Sequence, residues 1–375
     1  MKHARWLLII AAIYLAGFFA HALTLQKTVY GDGIFYYSWV RSIVVDRDIN
    51  FTNEYRHFGV SAPATPKGAF GNKHPIGAPL FWLPWYAQAH AIIRGSGYEL
   101  PYQLLVGLIS VLAALTGLVL LYRLLLSFFS RTTSMLAITA IALTTNLFFY
   151  GSLDPVNSHA ISFFAAVVFL SFLFSKKTHP FLTGCTLGFC TLVRPQDAAL
   201  GILSFARPGL AKLKSSIAFF LGALFAFSPQ LFAWYALYGT PWTSPYLAGS
   251  ESFTWWPPHF LDVLFSPRNG LVLWTPIVFL ALVGFIFWKS SLRRLFLLFI
   301  FTEIAIIGSW SIWWQGASYS GRMFVSVLPI LSFGLAAPFQ RLQKHGLKSR
   351  DILIILVGPL TVLNMLFIFF YLFTR

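Results

Sequence analysis

The sequence predicts an all-α polytopic membrane protein with about 11 transmembrane helices and a long, partly helical first outer loop. Three observations predict it. Hydrophobic residues make up 57 % of the 375 residues and Asp, Glu, Lys and Arg only 10 %, against about 25 % charged in soluble domains. The apolar residues gather in runs of roughly 20, the length that crosses a bilayer. The basic residues fall mostly in alternate gaps between those runs, as in cytoplasmic loops. The same facts exclude disorder and assign the net charge of +16 to membrane topology rather than to nucleic acid. Cys185 and Cys190 share one apolar segment and imply no disulfide framework.

In chain order, spans are expected at 6–25, 103–126, 132–150, 155–174, 217–237, 271–288, 295–310, 323–339 and 352–373. Two stretches are ambiguous: 75–91, with three prolines, and 181–205, broken at Arg194-Pro195-Gln196-Asp197. The positive-inside rule resolves both. With the N-terminus cytoplasmic, 75–91 not crossing and 181–205 crossing twice with Arg194 at the tip, 16 basic residues fall in cytoplasmic loops. Only Arg194, Arg268, Arg322 and Arg375 fall in short outer segments, and the other seven lie in the long outer loop. The chain then reads as one transmembrane domain over residues 1–375, with outer loops at 26–101, 238–270 and 311–322 and an extracytoplasmic C-terminus. The basic start and Ala20-His21-Ala22 resemble a signal peptide, but the apolar stretch is long for one and reads as a retained anchor. Nine of the eleven acids fall on the outer side, which places any chemistry there.

Within the first loop, 34–45 sets Tyr36, Trp39, Val40, Ile43 and Val44 on one helical face and Ser38, Arg41 and Ser42 on the other. That pattern predicts an amphipathic helix lying in the membrane interface, ended by Asp46-Arg47-Asp48. A second helix is expected at 75–91, so the loop reads as a folded cap, or as a docking platform. Phosphate loops, metalloprotease and hydrolase signatures and metal-ligand spacings are absent from the sequence, so no metal or cofactor is expected.

The order of short motifs is more telling. Gly31-Asp32-Gly33-Ile34-Phe35-Tyr36-Tyr37 follows the first span at once, then Arg41-Ser42 and Asp46-Arg47-Asp48. Lys73-His74-Pro75-Ile76-Gly77 precedes a Trp-rich helix, Asp154-Pro155 sits in a later outer loop, and Gly321-Arg322-Met323-Phe324 precedes a Leu-Pro span. Across essentially the whole chain this resembles the GT-C superfamily of polytopic glycosyltransferases, closest to the protein O-mannosyltransferase and aminoarabinose-transferase-like group. The resemblance implies a bacterial cytoplasmic-membrane enzyme with a polyprenyl-phosphate-linked sugar donor, an acceptor on the outer face and inversion at the anomeric carbon. It implies Asp32 as base, Asp154 as the second important acid and Lys73 as a donor-phosphate ligand. Many members have Asp-Glu where this chain has Asp32-Gly33, and some carry a soluble C-terminal domain. The acceptor, whether protein, lipid or glycan, stays open.

Each candidate has two readings. Asp32 is a base or a helix cap. Asp154 is a site acid or an ordinary helix start before proline. Lys73, His74 and Arg322 hold phosphate or anchor the interface. Arg194 holds phosphate or pairs with Asp197 at the hairpin tip. His159 reads as a core histidine, and Arg268 as a weaker cation candidate. Asp46 and Asp48 read as a solvated helix end. Glu303 is an intramembrane acid, a costly placement that marks function, with no partner evident from sequence. The pairs Trp255-Trp256 and Trp313-Trp314 fit an aromatic belt as well as sugar stacking. Two rival functions remain: a transporter or flippase of lipid-linked sugars, and a non-catalytic scaffold.

Overall fold

Proline and one threonine, more than hydropathy, decide where the apolar runs become helices. In the computed structural model, whose described residues are 2–177, 179–243, 245–248 and 251–374, the chain is helical, with no strand among those residues beyond isolated bridges. Arg375, counted above with the outer cations, lies outside them.

Helix α1 (Lys2–Leu25) leads to three helices of the first long connection, α2 (Gly33–Arg41), α3 (Thr52–Phe58) and α4 (Gly77–Ile93). Then come α5 (Leu100–Leu125), α6 (Arg131–Thr144), α7 (His159–Leu173), α8 (Pro180–Val193) and α9 (Leu213–Tyr238). The short α10 (Pro245–Ala248), α11 (Asp262–Phe265) and α12 (Leu271–Trp274) precede α13 (Ile277–Gly284), α14 (Leu292–Ser309), α15 (Leu328–Lys344), α16 (Ser349–Ile352) and α17 (Gly358–Thr374). Among the described residues, five segments are long and apolar enough to cross a membrane: α1, α5, α9, and the stretches Arg322–Lys344 and Ser349–Thr374. Helices α7 and α8, with 15 and 14 residues, reach only about 21–23 Å, short of a core of about 30 Å. Helix length alone therefore supports five of the 11 predicted crossings.

The shortfall has local causes. The expected span 132–150 stops at Thr144, because Thr145 is extended and its hydroxyl accepts the Leu147 N–H at 3.2 Å. The span 271–288 splits at Thr275, the residue before Pro276, which proline disfavours from helix. The same rule breaks 181–205 at Arg194, which is extended before Pro195. The chain returns along α8 as a 3₁₀ segment, Pro195–Ala206, so Arg194 stands at the tip of a hairpin. Helices α8 and α9 pack backbone to backbone: a Cβ at Gly184 would sit 1.9 Å from the Phe219 carbonyl, and at Gly188 2.2 Å from that of Ala223. This spacing of two glycines four apart is a membrane helix-packing device.

The first long connection corrects the interfacial-helix expectation. In α2 the polar face is as buried as the apolar one, with Ser38, Arg41 and Ser42 all enclosed. Helices α3 and α4 cover it, and Arg41 is satisfied inside. Its Nη1 donates to Asp46 Oδ2 at 2.5 Å and to Glu54 Oε1 at 2.6 Å, its Nε to the Ser96 carbonyl at 2.9 Å, and its guanidinium lies over the Tyr98 ring. Asp46 and Asp48 both have partners, with Asp46 half-buried and Asp48 exposed at the helix end; Asp48 Oδ1 accepts from Ser42 at 2.7 Å.

Candidate functional site

The residues between helices gather at one end of the bundle around a cavity of about 360 Å³. Asp32 enters it from the turn after α1. Gly31, at φ +53°, makes that turn, and Gly33 lets it seat against the 154–158 loop, since a Cβ there would lie 2.3 Å from the Val156 carbonyl. The acidic neighbour that the resemblance expects after Asp32 has no room. The Asp32 side chain makes no cap hydrogen bond, which disposes of the capping reading. It pairs instead with Arg322 Nη1 at 2.7 Å.

Lys73 and His74 arrive on the strand-like run before α4, whose first residue, Gly77, packs on the backbone of Leu192 and Val193 just before Arg194. His74 stacks on Phe35 and meets Tyr36 edge-on, and its Nε2 is buried with no partner. Lys73 Nζ pairs with Glu251 Oε1, and Glu251 Oε2 accepts from Trp310 Nε1 at 2.9 Å. The far wall is formed by α14 and the segment after it, with Ile306, Ile307, Trp310, Ile312 and Gln315. These segments are tied together: the Thr254 N–H donates to the Ser309 carbonyl at 2.6 Å and the Ser311 N–H to that of Ser252 at 2.8 Å.

Arg194 corrects the sequence reading. It makes no direct ion pair with Asp197, whose Oδ1 accepts from Ser326 at 2.8 Å. Arg194 Nη1 is 2.5 Å from His159 Nδ1; its Nη2 donates to Gln196 Oε1 at 3.2 Å and contacts Met323 Sδ. All three acceptors are neutral types. Among the described residues, Arg194 is the cavity arginine with no carboxylate within ion-pair distance, although only 5 % of it is exposed. His159, read as a core histidine, lines the cavity. Glu303 acquires a partner too: its Oε2 accepts from Gln196 Nε2 at 2.9 Å.

Asp154 stands behind this wall rather than on it. Helix α7 begins only at His159, so Asp154 is no helix start; its carboxyl senses the charges of Arg322 and Asp32. Arg268 lies over Trp314, and Trp313 stacks on His259, both away from the cavity. Tyr36, Tyr246, Gln196 and Trp310 were missed from sequence. Tyr36 and Tyr246 could have been flagged by their outer-loop placement, Gln196 and Trp310 only by their position at the outer ends of spans.

The charges are unequal. Burial works against an ionised Asp32, but Arg322, His74 and Lys73 outweigh it and hold the carboxyl at about 2. Burial, with the charges of Lys73, Arg322 and Arg194, lowers His74 to about 4 despite Asp32, so it is neutral. Burial lifts Asp154 to about 7, with Arg322 opposing and Asp32 adding to the rise. A second cavity of about 680 Å³ shares Asp32, Lys73, His74 and Tyr246 with the first and extends over Phe35, the 61–66 loop and Glu251.

No family model matches the sequence, and no curated protein is similar to it. Two solved structures share the fold. One is the archaeal oligosaccharyltransferase AglB from Archaeoglobus fulgidus in complex with an inhibitory peptide and a dolichol-phosphate, at TM-score 0.51 and 13% identity over 97% of this chain and 55% of that one. The other is the apo form of the Archaeoglobus fulgidus oligosaccharyltransferase, at TM-score 0.53 and 14% identity over 97% and 56%. This chain spans about half the length of those proteins. At that identity the likeness is one of fold.

Proposed function

We propose that this chain is a membrane glycosyltransferase that moves a sugar from a polyprenyl-phosphate donor to an acceptor hydroxyl at Asp32, with inversion and without a metal. The observation that carries the reading is a buried, carboxylate-free Arg194 beside an Asp32–Arg322 pair, in a cavity whose far wall is apolar. The donor phosphate takes Arg194 and then Arg322, and the prenyl tail leaves along Ile306 and Ile307. The acceptor approaches through the second cavity. Its hydroxyl oxygen attacks the sugar C1 from the face opposite the phosphate, and Asp32 takes the hydroxyl proton. The C1–O bond breaks, its electron pair stays on the phosphate, and the two arginines stabilise the charge that develops there.

A carboxyl held at about 2 is a weak base. Donor binding removes that handicap, because a phosphate on Arg322 competes for the charge that holds Asp32 down. The base is thus strengthened only when a donor is in place. The neutral His74, with its open Nε2, is placed to hold a sugar hydroxyl.

The membrane reading is 11 crossings, with the cavity face extracytoplasmic and the N-terminus cytoplasmic. An Asn50→Cys protein lacking the two native cysteines should label from outside and an Arg294→Cys one only from inside; the reverse pattern rejects the orientation. The activity test is transfer of labelled sugar by purified protein in nanodiscs. Asp32→Asn should cut transfer by about 10²-fold or more, the scale of general-base loss, with donor binding retained. Wild-type transfer in that variant would remove Asp32 as the base.

A further inference from the structure

Glu303 is fully buried on α14, one turn from Ile306 and Ile307 and two turns from Trp310, all three of which line the cavity. Glu303 itself is not among the lining residues, and the reaction proposed above does not use it. It is held by a single hydrogen bond, from Gln196 Nε2 to its Oε2 at 2.9 Å, while its Oε1 is buried without a partner. Gln196 Nε2 also donates to the Met323 carbonyl at 3.1 Å. Both hydrogens of the amide are thereby directed at acceptors on one side. Its Oε1 must then face the other side, where it accepts from Arg194 Nη2 at 3.2 Å.

An amide presents donors at one end and an acceptor at the other. If it turned over, its NH₂ would meet the guanidinium donor to donor and the carbonyl oxygen would meet Glu303 and the Met323 carbonyl. A carboxyl at 303 is the acceptor that fixes the amide the right way round. From this geometry we infer that Glu303 is a positioning residue for phosphate binding: it sets the orientation of Gln196, which aims the Arg194 guanidinium into the cavity. The inference rests on the phosphate role of Arg194. It also accounts for an acid in an apolar helix, where an unpartnered carboxyl is otherwise costly.

The test uses the full chain in nanodiscs, with farnesyl phosphate as probe and farnesol as the phosphate-free control. Glu303→Leu should weaken farnesyl phosphate by about 10-fold, the scale of one charge-assisted hydrogen bond, and leave farnesol unchanged. Glu303→Gln can still offer an oxygen to Gln196 and should stay within about 3-fold of wild type. In an Arg194→Leu background, Glu303→Leu should cost nothing further, because contacts in one network are not additive. Equal loss for farnesol and farnesyl phosphate, or full additivity with Arg194→Leu, would overturn the inference and leave the phosphate reading intact. Arg194→Leu binding farnesyl phosphate like wild type would overturn that reading and the inference with it. If Glu303→Leu does not fold, Glu303→Met removes the same carboxyl at nearly the same volume and carries the same outcomes.

Discussion

Arg194 and Arg322 open onto the same cavity, yet they are held in opposite ways. Arg322 is neutralised by Asp32 at 2.7 Å; Arg194 is braced by a histidine, a glutamine and a methionine and keeps its charge uncompensated at contact distance. Lys73 falls with Arg322, since Glu251 already occupies it. The difference separates two tasks that look identical in sequence. A braced arginine can bind an anion without first breaking an ion pair. A paired cation must give up its acid to do so, and that exchange turns ligand binding into a signal to the acid.

The sharpest way to break this comparison is to remove each arginine in turn. Arg194→Leu should weaken farnesyl phosphate by at least about 10-fold, since it deletes a charge-assisted contact outright. Arg322→Leu should weaken it less, because part of what Arg322 gives the phosphate is offset by the lost Asp32 pair. Binding isotherms on both variants decide it. Equal losses would mean that the Asp32 pair opens at no cost, and the proposed coupling between donor and base would go with it.

Lys73 gives a smaller, opposite-signed effect through its partner. Glu251→Gln keeps an acceptor for Trp310 Nε1 but frees Lys73. Farnesyl phosphate should then bind about 3-fold tighter, whereas Lys73→Ala should change affinity by no more than about 2-fold; a side chain that is 44 % exposed makes a weak ion pair. Looser binding in Glu251→Gln would mark Glu251 as a prop for Trp310 instead.

The same contrast shows what the sequence could reveal. Charge asymmetry and motif order brought Asp32, Lys73, His74, Arg194 and Arg322 to one side, and these five do line one cavity. Helix breaks at Arg194-Pro195 and Thr275-Pro276 follow from a local steric rule and were readable, at least at Arg194. The break at Thr145 was not, because it depends on a hydroxyl bonding its own chain. Pairing was the least legible feature. Whether Arg194 is free depends on Ser326 engaging Asp197, and whether Lys73 is free depends on Glu251, more than a hundred residues away in each case. The α2 helix failed for a related reason: an amphipathic pattern tells which face is polar, not what covers it. Ser38 and Ser42, on the polar face, are enclosed along with Arg41 and Glu54.

A comparably small effect concerns the acid behind the paired wall. Asp154 is pushed up to about 7 by burial, against the pull of Arg322 and with the push of Asp32. Below that value it is neutral, and above it a second negative charge stands beside Arg322. Anion binding should therefore weaken as pH rises from 6 to 8. Farnesyl phosphate would obscure this, because its own second ionisation near pH 6 makes it more anionic over the same range. Methyl farnesyl phosphate, a diester with one constant charge, isolates the protein's contribution. Its affinity should fall by about 3-fold between pH 6 and 8 in the wild type, the order expected for one screened charge near the site, and stay flat in Asp154→Asn. Stability carries the same sign. A carboxyl raised in the folded state favours folding most below its ordinary range, and that advantage is lost as pH climbs through about 7. The thermal midpoint should drop more across this interval in the wild type than in Asp154→Asn. Identical pH profiles in the two proteins would place the neutral-range titration elsewhere and leave Asp154 a purely structural residue.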